Sequence, residues 1–235
     1  MKKNLDLSTD ISKKIIVKQN PKSPISEQYR VIRTNIEFAM IDSNIKALVC
    51  TSSKAGEGKS TTIANLAVAF ANAGTEVVLV DADLRKPTAH LRFNVENHNG
   101  LTKVLTKNSS LAEAVVKTDV NNLWLLPSGP TPPNPTELLG SNAMQEVVKN
   151  ILKEFDLILF ESPPVLIGAD AQILGNLCDG ALLIVESNAT KKEELLKAKD
   201  LLDKANVNVL GVVLNKVKRD KNKELYYYGN DRKLK

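Results

Sequence analysis

Residues 52–62, SSKAGEGKSTT, have the residue types and spacing of a loop that binds nucleotide phosphates. Glycines at positions 56 and 58 let backbone N–H groups turn toward phosphate oxygens, and a following helix adds positive potential at its N-terminus. Lys59 is expected to contact the β- and γ-phosphates, and the Ser60 hydroxyl to bind Mg²⁺. Ser53 replaces the first glycine of the usual pattern. The predicted nucleotide-binding residues of this segment are Lys54, Ala55, Gly56, Glu57, Gly58, Lys59, Ser60 and Thr61.

Carboxylates stand at the ends of two other apolar segments. Asp81 and Asp83 close VLVDAD (78–83), and at i and i+2 of a strand end they point to the same side. One could bind Mg²⁺, which prefers hard oxygen ligands, while the other orients or deprotonates an attacking hydroxyl. Buried together they would repel, so a metal ion or a basic partner is expected beside them. Glu161, at the end of DLILFE (156–161), is a further predicted Mg²⁺ ligand.

The elements that carry these residues alternate between strand-like and helix-like patterns. Continuous apolar runs are typical of a parallel sheet covered on both faces, and amphipathic segments at 61–74 and 191–207 separate some of them. We predict an α/β fold with a doubly wound, mainly parallel sheet. The six predicted strands are KALVCTS (46–52), EVVLVDAD (76–83), NLWLLPSG (122–129), DLILFES (156–162), GALLIVES (180–187) and VNVLGVVLN (207–215).

A predicted helix over residues 24–40 precedes the first strand, with Ser26 as its expected N-cap. It carries an apolar stripe at helical spacing and a second, charged stripe that suits either solvent or a subunit contact. The apolar stripe is Ile25, Tyr29, Ile32 and Ile36, and the charged stripe is Glu27, Arg30 and Arg33. We predict three parts of the chain: an N-terminal extension (1–45), a nucleotide-binding domain (46–215) and a basic tail (216–235).

The net charge of +5 over 235 residues lies entirely in that tail, because residues 216–235 carry eight basic and three acidic side chains. Residues 1–215 are balanced, so no nucleic-acid partner is expected. No apolar run has the length of a membrane span, and the first residues lack the apolar core of a signal peptide. The two cysteines, Cys50 and Cys178, are expected to be buried free thiols. Tyr226–Tyr228 are adjacent and cannot share one face of a helix or strand, so packing explains them poorly.

The loop resembles that of the MinD/ParA/NifH-like ATPases, which carry an extra lysine at the position of Lys54. In that group an asparagine placed like Asn215 contacts adenine. Over nearly its whole length, the sequence more specifically resembles the bacterial tyrosine kinases of the capsular polysaccharide type, the CapB/CpsD group. Motifs that carry the resemblance are ISEQYRVIRTNI (25–36), TSSKAGEGKS (51–60), LVDADLRKPT (79–88), GPTPPNPTELL (129–139) and the tyrosine cluster.

This resemblance implies an ATP- and Mg²⁺-dependent protein-tyrosine kinase that autophosphorylates Tyr226, Tyr227 and Tyr228. Asp83 is then the candidate base, with Asp81 supporting Mg²⁺ and Lys59 stabilising the transferred phosphoryl group. It implies a ring-like homo-oligomer formed through the Glu27 helix. It also implies protein tyrosine substrates, a cognate phosphatase, and a membrane adaptor of the CapA/CpsC type that recruits a cytoplasmic kinase to the inner face of the membrane. The segment Glu161-Ser-Pro-Pro departs from the family's usual Asp-Thr-Pro-Pro.

Two other functions remain open at this point. A MinD/ParA-like ATPase switch would share nearly all the nucleotide motifs, but KNKELYYYGNDRKLK (221–235) is not an amphipathic membrane helix. A non-catalytic nucleotide-gated scaffold would explain the unusual Glu161, but the intact Lys59, Asp81 and Asp83 argue against it. Neither a MinD-like nor a ParA-like ATPase explains the adjacent tyrosines.

Overall fold

A computed structural model describes residues 15–41 and 44–218. Its strands are β1 (Ala47–Ser52), β2 (Val77–Asp81), β3 (Val116–Lys117), β4 (Leu123–Leu126), β5 (Leu157–Glu161), β6 (Gly180–Glu186) and β7 (Val209–Asn215). They form a sheet in the order β3–β4–β2–β5–β1–β6–β7. Neighbouring strands run parallel, except that β3 is antiparallel to β4. The predicted mainly parallel sheet is therefore confirmed.

Helices cover both faces of the sheet. Within the described ranges they are α1 (Ile16–Gln19), α2 (Pro24–Ile41), α3 (Lys59–Ala71), α4 (Ala89–Phe93), α5 (Leu101–Leu105), α6 (Leu111–Ala114), α7 (Pro135–Leu139), α8 (Asn142–Ile151), α9 (Asp170–Leu177) and α10 (Lys192–Lys204). Alternate residues of the central strands point to opposite sides: Leu48 belongs to the core that includes side chains of α2 and α3, and Val49 to the core that includes side chains of α8, α9 and α10. Every residue of β1, β2 and β5 is buried, which explains their uninterrupted apolar sequences.

The N-terminal helix α2 packs on α3 through Tyr29 and Ile36, two members of the predicted apolar stripe. Ile25, also assigned to that stripe, is instead 43% exposed. The prediction of Ser26 as N-cap is wrong. The backbone N–H of Ser26 donates to Ser23 Oγ at 3.0 Å, so Ser23 has the capping role and the helix begins at Pro24.

The sheet brings the predicted acidic residues to one edge. The order places β5 between β1 and β2, so the carboxyl ends of three parallel strands are adjacent. Asp81 and Glu161 are direct neighbours in the register of β2 and β5. The phosphate-binding loop, residues 53–60, follows β1 at the same edge. Cys50 and Cys178 are both free thiols, and Cys178 is only partly buried.

Candidate active site

The phosphate-binding loop depends on two glycines with positive φ. Gly56 has φ 90° and Gly58 has φ 93°, conformations that other residues rarely adopt. Gly58 also has no room for a side chain, because a Cβ there would lie 1.9 Å from Asn215 Nδ2. That amide nitrogen donates to the Glu57 carbonyl at 2.8 Å. Asn215 thus braces the loop at the end of β7, and its contact with adenine stays a prediction.

Lys59, the first residue of α3, lies between two carboxylates at the base of the loop. Its Nζ is 3.0 Å from Glu161 Oε1 and 3.6 Å from Asp83 Oδ2. Burial alone would lower the pKa of Lys59, but these carboxylates outweigh it and the pKa is raised. Burial alone would raise the pKa of Glu161, but Lys59 and the Ser60 hydroxyl hold this pKa below its ordinary value. Lys59 is therefore the expected basic partner for Asp83, whereas no ion pair with Asp81 is formed among the described residues.

Two buried carboxylate oxygens at this edge have no hydrogen-bond partner among the described residues: Asp81 Oδ1 and Glu161 Oε2. The other Asp81 oxygen accepts from the backbone N–H groups of Thr88 and Ala89, at 3.0 and 2.9 Å. Burial and the neighbouring Glu161 raise the pKa of Asp81 well above its usual range. Unpaired hard oxygens on adjacent strand ends suit a divalent cation such as Mg²⁺.

No group of three or more His, Cys, Asp or Glu side chains positioned for a metal ion occurs in residues 15–41 and 44–218. Mg²⁺ typically uses one or two protein carboxylates and takes its other ligands from phosphates and water. Ser60, which adjoins Lys59 in the first turn of α3, can add a hydroxyl ligand. The residues present therefore fit the predicted ion.

Asp83 lies just beyond the end of β2. Its Oδ1 accepts from the backbone N–H of Lys86 at 3.0 Å, which fixes the carboxylate beside Lys59. Burial raises the pKa of Asp83, although Lys59 acts in the opposite direction. A carboxylate with a raised pKa is a stronger base than a solvated one, as the predicted role requires.

Lys54 points away from this network. Its Nζ is 2.7 Å from Glu194 Oε2 in the first turn of α10 and 3.3 Å from the Ala189 carbonyl. The partner raises the pKa of Lys54, and Lys54 in turn lowers that of Glu194. Contact between Lys54 and a phosphate would require this pair to separate.

Comparisons with known proteins decide the family. Residues 44–193 match the family described as AAA domain. The tyrosine-protein kinase YwqD of Bacillus subtilis is 49% identical over 93% of this chain and 92% of its own length. The putative tyrosine-protein kinase CapB of Staphylococcus aureus is 40% identical over 91% of this chain and 94% of its own. The chain belongs to the bacterial tyrosine-protein kinases. A solved structure of the chimerical protein CapA2B2 has a TM-score of 0.85 at 40% identity, covering 88% of this chain and 91% of that one.

The tyrosine-protein kinase fold places the predicted oligomerisation residues on two sides of α2. Glu27 and Arg30 form an ion pair at the surface. Arg33 instead turns toward α3, where its Nη1 donates to the Ala69 carbonyl at 3.1 Å. Tyr226–Tyr228 lie outside the described residues. No helix in the described part of this kinase is long and apolar enough to cross a membrane.

Several residues near the site were not predicted from the sequence. Arg85 pairs with Asp170 at 2.6 Å and donates to Thr136 at 2.8 Å, which links the segment after β2 to α9 and α7. Lys216 donates to the Gly56 carbonyl at 2.7 Å. Thr190 donates to the Glu57 carboxylate. Arg85 and the proline-rich segment belong to motifs visible in the sequence. Their shared partner, Asp170, lies 85 positions from Arg85 and 34 from Thr136, so the sequence does not indicate these contacts.

Proposed function

We propose that this protein is an ATP-dependent protein-tyrosine kinase that phosphorylates the tyrosines of its own C-terminal cluster, in trans within an oligomer. The observation that carries the proposal is the buried contact of Lys59 with Asp83 and Glu161 beside the phosphate-binding loop. It joins a phosphate-binding lysine to a carboxylate with a raised pKa, which is the pairing that phosphoryl transfer to a phenol needs.

In the proposed reaction the phenol oxygen attacks the γ-phosphorus, the bond to the β,γ-bridging oxygen breaks, and ADP leaves. Asp83 accepts the phenol proton, since a phenol with a pKa of about 10 is a weak nucleophile near neutral pH. Lys59 and the loop N–H groups neutralise charge on the transferring group. Asp81, Glu161 and Ser60 would bind Mg²⁺, which supplies further positive charge at the phosphates. Lys54 and Asn215 are proposed to contact phosphate and adenine.

The tail is long enough for transfer to a neighbouring subunit as well as within one chain. From Asn215 to Tyr226 there are 11 residues, which span roughly 36 Å when extended. We propose that residues 1–45 are an oligomerisation extension acting through Glu27, Arg30 and Arg33, that 46–215 are the kinase domain, and that 216–235 are the substrate tail. Each phosphotyrosine adds about −1.5 to −2 charges, so three would cancel the tail's net charge of +5. We expect this loss of positive charge to weaken the proposed ring.

We propose a role in capsular or exopolysaccharide synthesis and export, as the resemblance to the CapB/CpsD group implies. We propose a cytoplasmic kinase that a membrane adaptor of the CapA/CpsC type recruits to the inner face of the membrane and activates. Other protein tyrosine substrates and a cognate phosphatase would complete the cycle. Nucleic acid is not proposed as a partner.

Intact mass spectrometry tests the proposal. The full chain is incubated with Mg-ATP, with and without the cytoplasmic tail of its adaptor, beside Asp83→Asn and a triple Tyr226–Tyr228→Phe variant. We expect added phosphates on the unaltered chain only, mapping to the cluster. A mixture of Asp83→Asn with the triple variant should place phosphate on Asp83→Asn if transfer occurs in trans. ATP hydrolysis without added phosphate would favour the MinD/ParA-like switch. The absence of both phosphorylation and ATP hydrolysis would favour the scaffold function.

A further inference from the structure

Glu57 is a charged residue inside the phosphate-binding loop whose side chain turns into the protein. It is 1% exposed, although a glutamate in a surface loop normally reaches solvent. A buried carboxylate is tolerated only where donors surround it. The surroundings of Glu57 therefore indicate what the residue does for the loop.

Its first partners lie within the loop itself. The Ser53 hydroxyl donates to both Glu57 oxygens at 2.9 Å, and the backbone N–H of Lys54 donates to Oε2 at 3.0 Å. Ser53 occupies the position where the usual pattern has its first glycine. The replacement of glycine by serine therefore has a structural role, because the hydrogen bonds from the Ser53 hydroxyl to the Glu57 carboxylate hold residues 53 and 57 of the loop together.

The remaining partner lies 133 positions away in the turn between β6 and α10, residues 187–191. Thr190 Oγ1 donates to Glu57 Oε1 and accepts from the backbone N–H of Glu186, at the end of β6, at 3.0 Å. A continuous set of hydrogen bonds thus runs from β6 through Thr190 and Glu57 to the start of the loop. Among the described residues, Lys54 and Lys216 also link the loop to this region, but their side chains are solvent-accessible, so water can replace these contacts more easily.

We propose that Glu57 and Thr190 are positioning residues for nucleotide binding. Their hydrogen bond attaches the phosphate-binding loop to the β6–α10 turn and keeps its backbone N–H groups oriented toward the phosphates. Neither side chain contacts the nucleotide in this proposal. Loss of the bond lets the loop sample other conformations, so affinity falls while the chemistry of the bound substrate is preserved. The inference rests on the proposed function for the identity of the ligand.

Thr190→Val removes the hydroxyl at nearly constant shape, and Thr190→Ser restores a donor. Ser187→Ala is the matched control, since it removes a hydroxyl from the same turn that, among the described residues, accepts from Asn188 alone. Affinity for ADP and ATP is measured by calorimetry, and KM and kcat by phosphate incorporation. We expect Thr190→Val to raise the Kd and the KM for ATP about tenfold, with kcat at saturating ATP within about twofold. Thr190→Ser and Ser187→Ala should stay within about twofold of the unaltered chain.

An unchanged Kd in a folded Thr190→Val protein would overturn the inference, as would a Thr190→Ser protein as weak as Thr190→Val. If Thr190→Val does not fold, Glu57→Gln provides the same test, because it keeps the shape of the side chain and removes its charge. An unaltered chain that binds no nucleotide would overturn the proposed function as well. Normal nucleotide binding by the unaltered chain together with normal binding by both variants would overturn this inference alone.

Discussion

The Lys59→Met substitution tests the buried charges at the base of the phosphate-binding loop. Lys59 Nζ lies 3.0 Å from Glu161 Oε1 and 3.6 Å from Asp83 Oδ2, and all three side chains are buried. Methionine fills a similar volume but leaves both carboxylates without their cation. Breaking a buried pair in this way costs about 3–5 kcal/mol, because the remaining charge stays out of water. Since whole domains are stable by about 5–15 kcal/mol, a large share of the stability is lost.

The assay is urea unfolding in EDTA at pH 7 and pH 5, with Lys54→Met as the matched control. Lys54 belongs to the same loop, but its side chain is 38% exposed and its pairing is screened by solvent. The control should therefore change little. Lys59 lowers the folded-state pKa of Glu161, although burial acts in the opposite direction. The stabilisation that this pair gives the folded state is complete above the unfolded pKa of about 4.3 and is lost as pH falls through the folded pKa. Without Lys59 the carboxylates protonate more readily, and the difference between variant and unaltered chain narrows as pH falls.

A loss of less than about 1 kcal/mol at pH 7 would refute the reasoning, because it would mean that the carboxylates do not need their cation. A loss as large at pH 5 as at pH 7 would refute it too. If the prediction holds, an inactive Lys59→Met protein is not sufficient evidence for a catalytic role, and its folded fraction must be measured beside its activity.

Two further predictions concern the other charges of the site. Asp81→Asn should raise the melting temperature in EDTA at pH 7 by a few degrees, because burial and Glu161 make the ionised Asp81 unfavourable. This increase in melting temperature should become smaller as pH falls toward the unfolded pKa of aspartate, about 3.9. An unchanged melting temperature at pH 7 would contradict the prediction. Glu194→Gln should tighten ATP binding about two- to fivefold by releasing Lys54. Glu193→Gln, an equal charge change in the same helical turn, should leave it unchanged, and equal effects of the two variants would exclude competition between Glu194 and phosphate.

The central strands could be predicted because a strand buried on both faces has a continuous apolar sequence. All five residues of β5 are buried, and the run at 156–162 predicts it directly. β3 could not be predicted in this way, since it has two residues, Val116 and Lys117, and only antiparallel pairing to β4 defines it. The N-cap of α2 was misassigned because Ser23 and Ser26 are both good caps, and local sequence does not distinguish between them.

The site was predictable where its residues belong to a contiguous motif. Lys59, Asp81 and Glu161 each follow or end an apolar run, and parallel strands must bring such ends to one edge. Partners on other elements were not predictable. Glu194 in the first turn of α10 is equally well explained by helix capping, and it does accept from the backbone N–H of Lys191 at 3.1 Å. Its second role, as the partner of Lys54, depends on the sheet order that places β6 beside β1.

Within the described residues, three lysines that belong to or contact the phosphate-binding loop each pair with a carboxylate of the same chain. Lys59 pairs with Glu161 and Asp83, Lys54 with Glu194, and the third, Lys216, with Glu186. A nucleotide phosphate must therefore compete with fixed negative charge for each of them. Lys59 can turn to a phosphate at low cost only if Glu161 and Asp83 face another cation, since both carboxylates are buried. We therefore expect the affinity for ATP to depend steeply on Mg²⁺, because Glu161, one of the residues that would bind the ion, pairs with Lys59 in its absence.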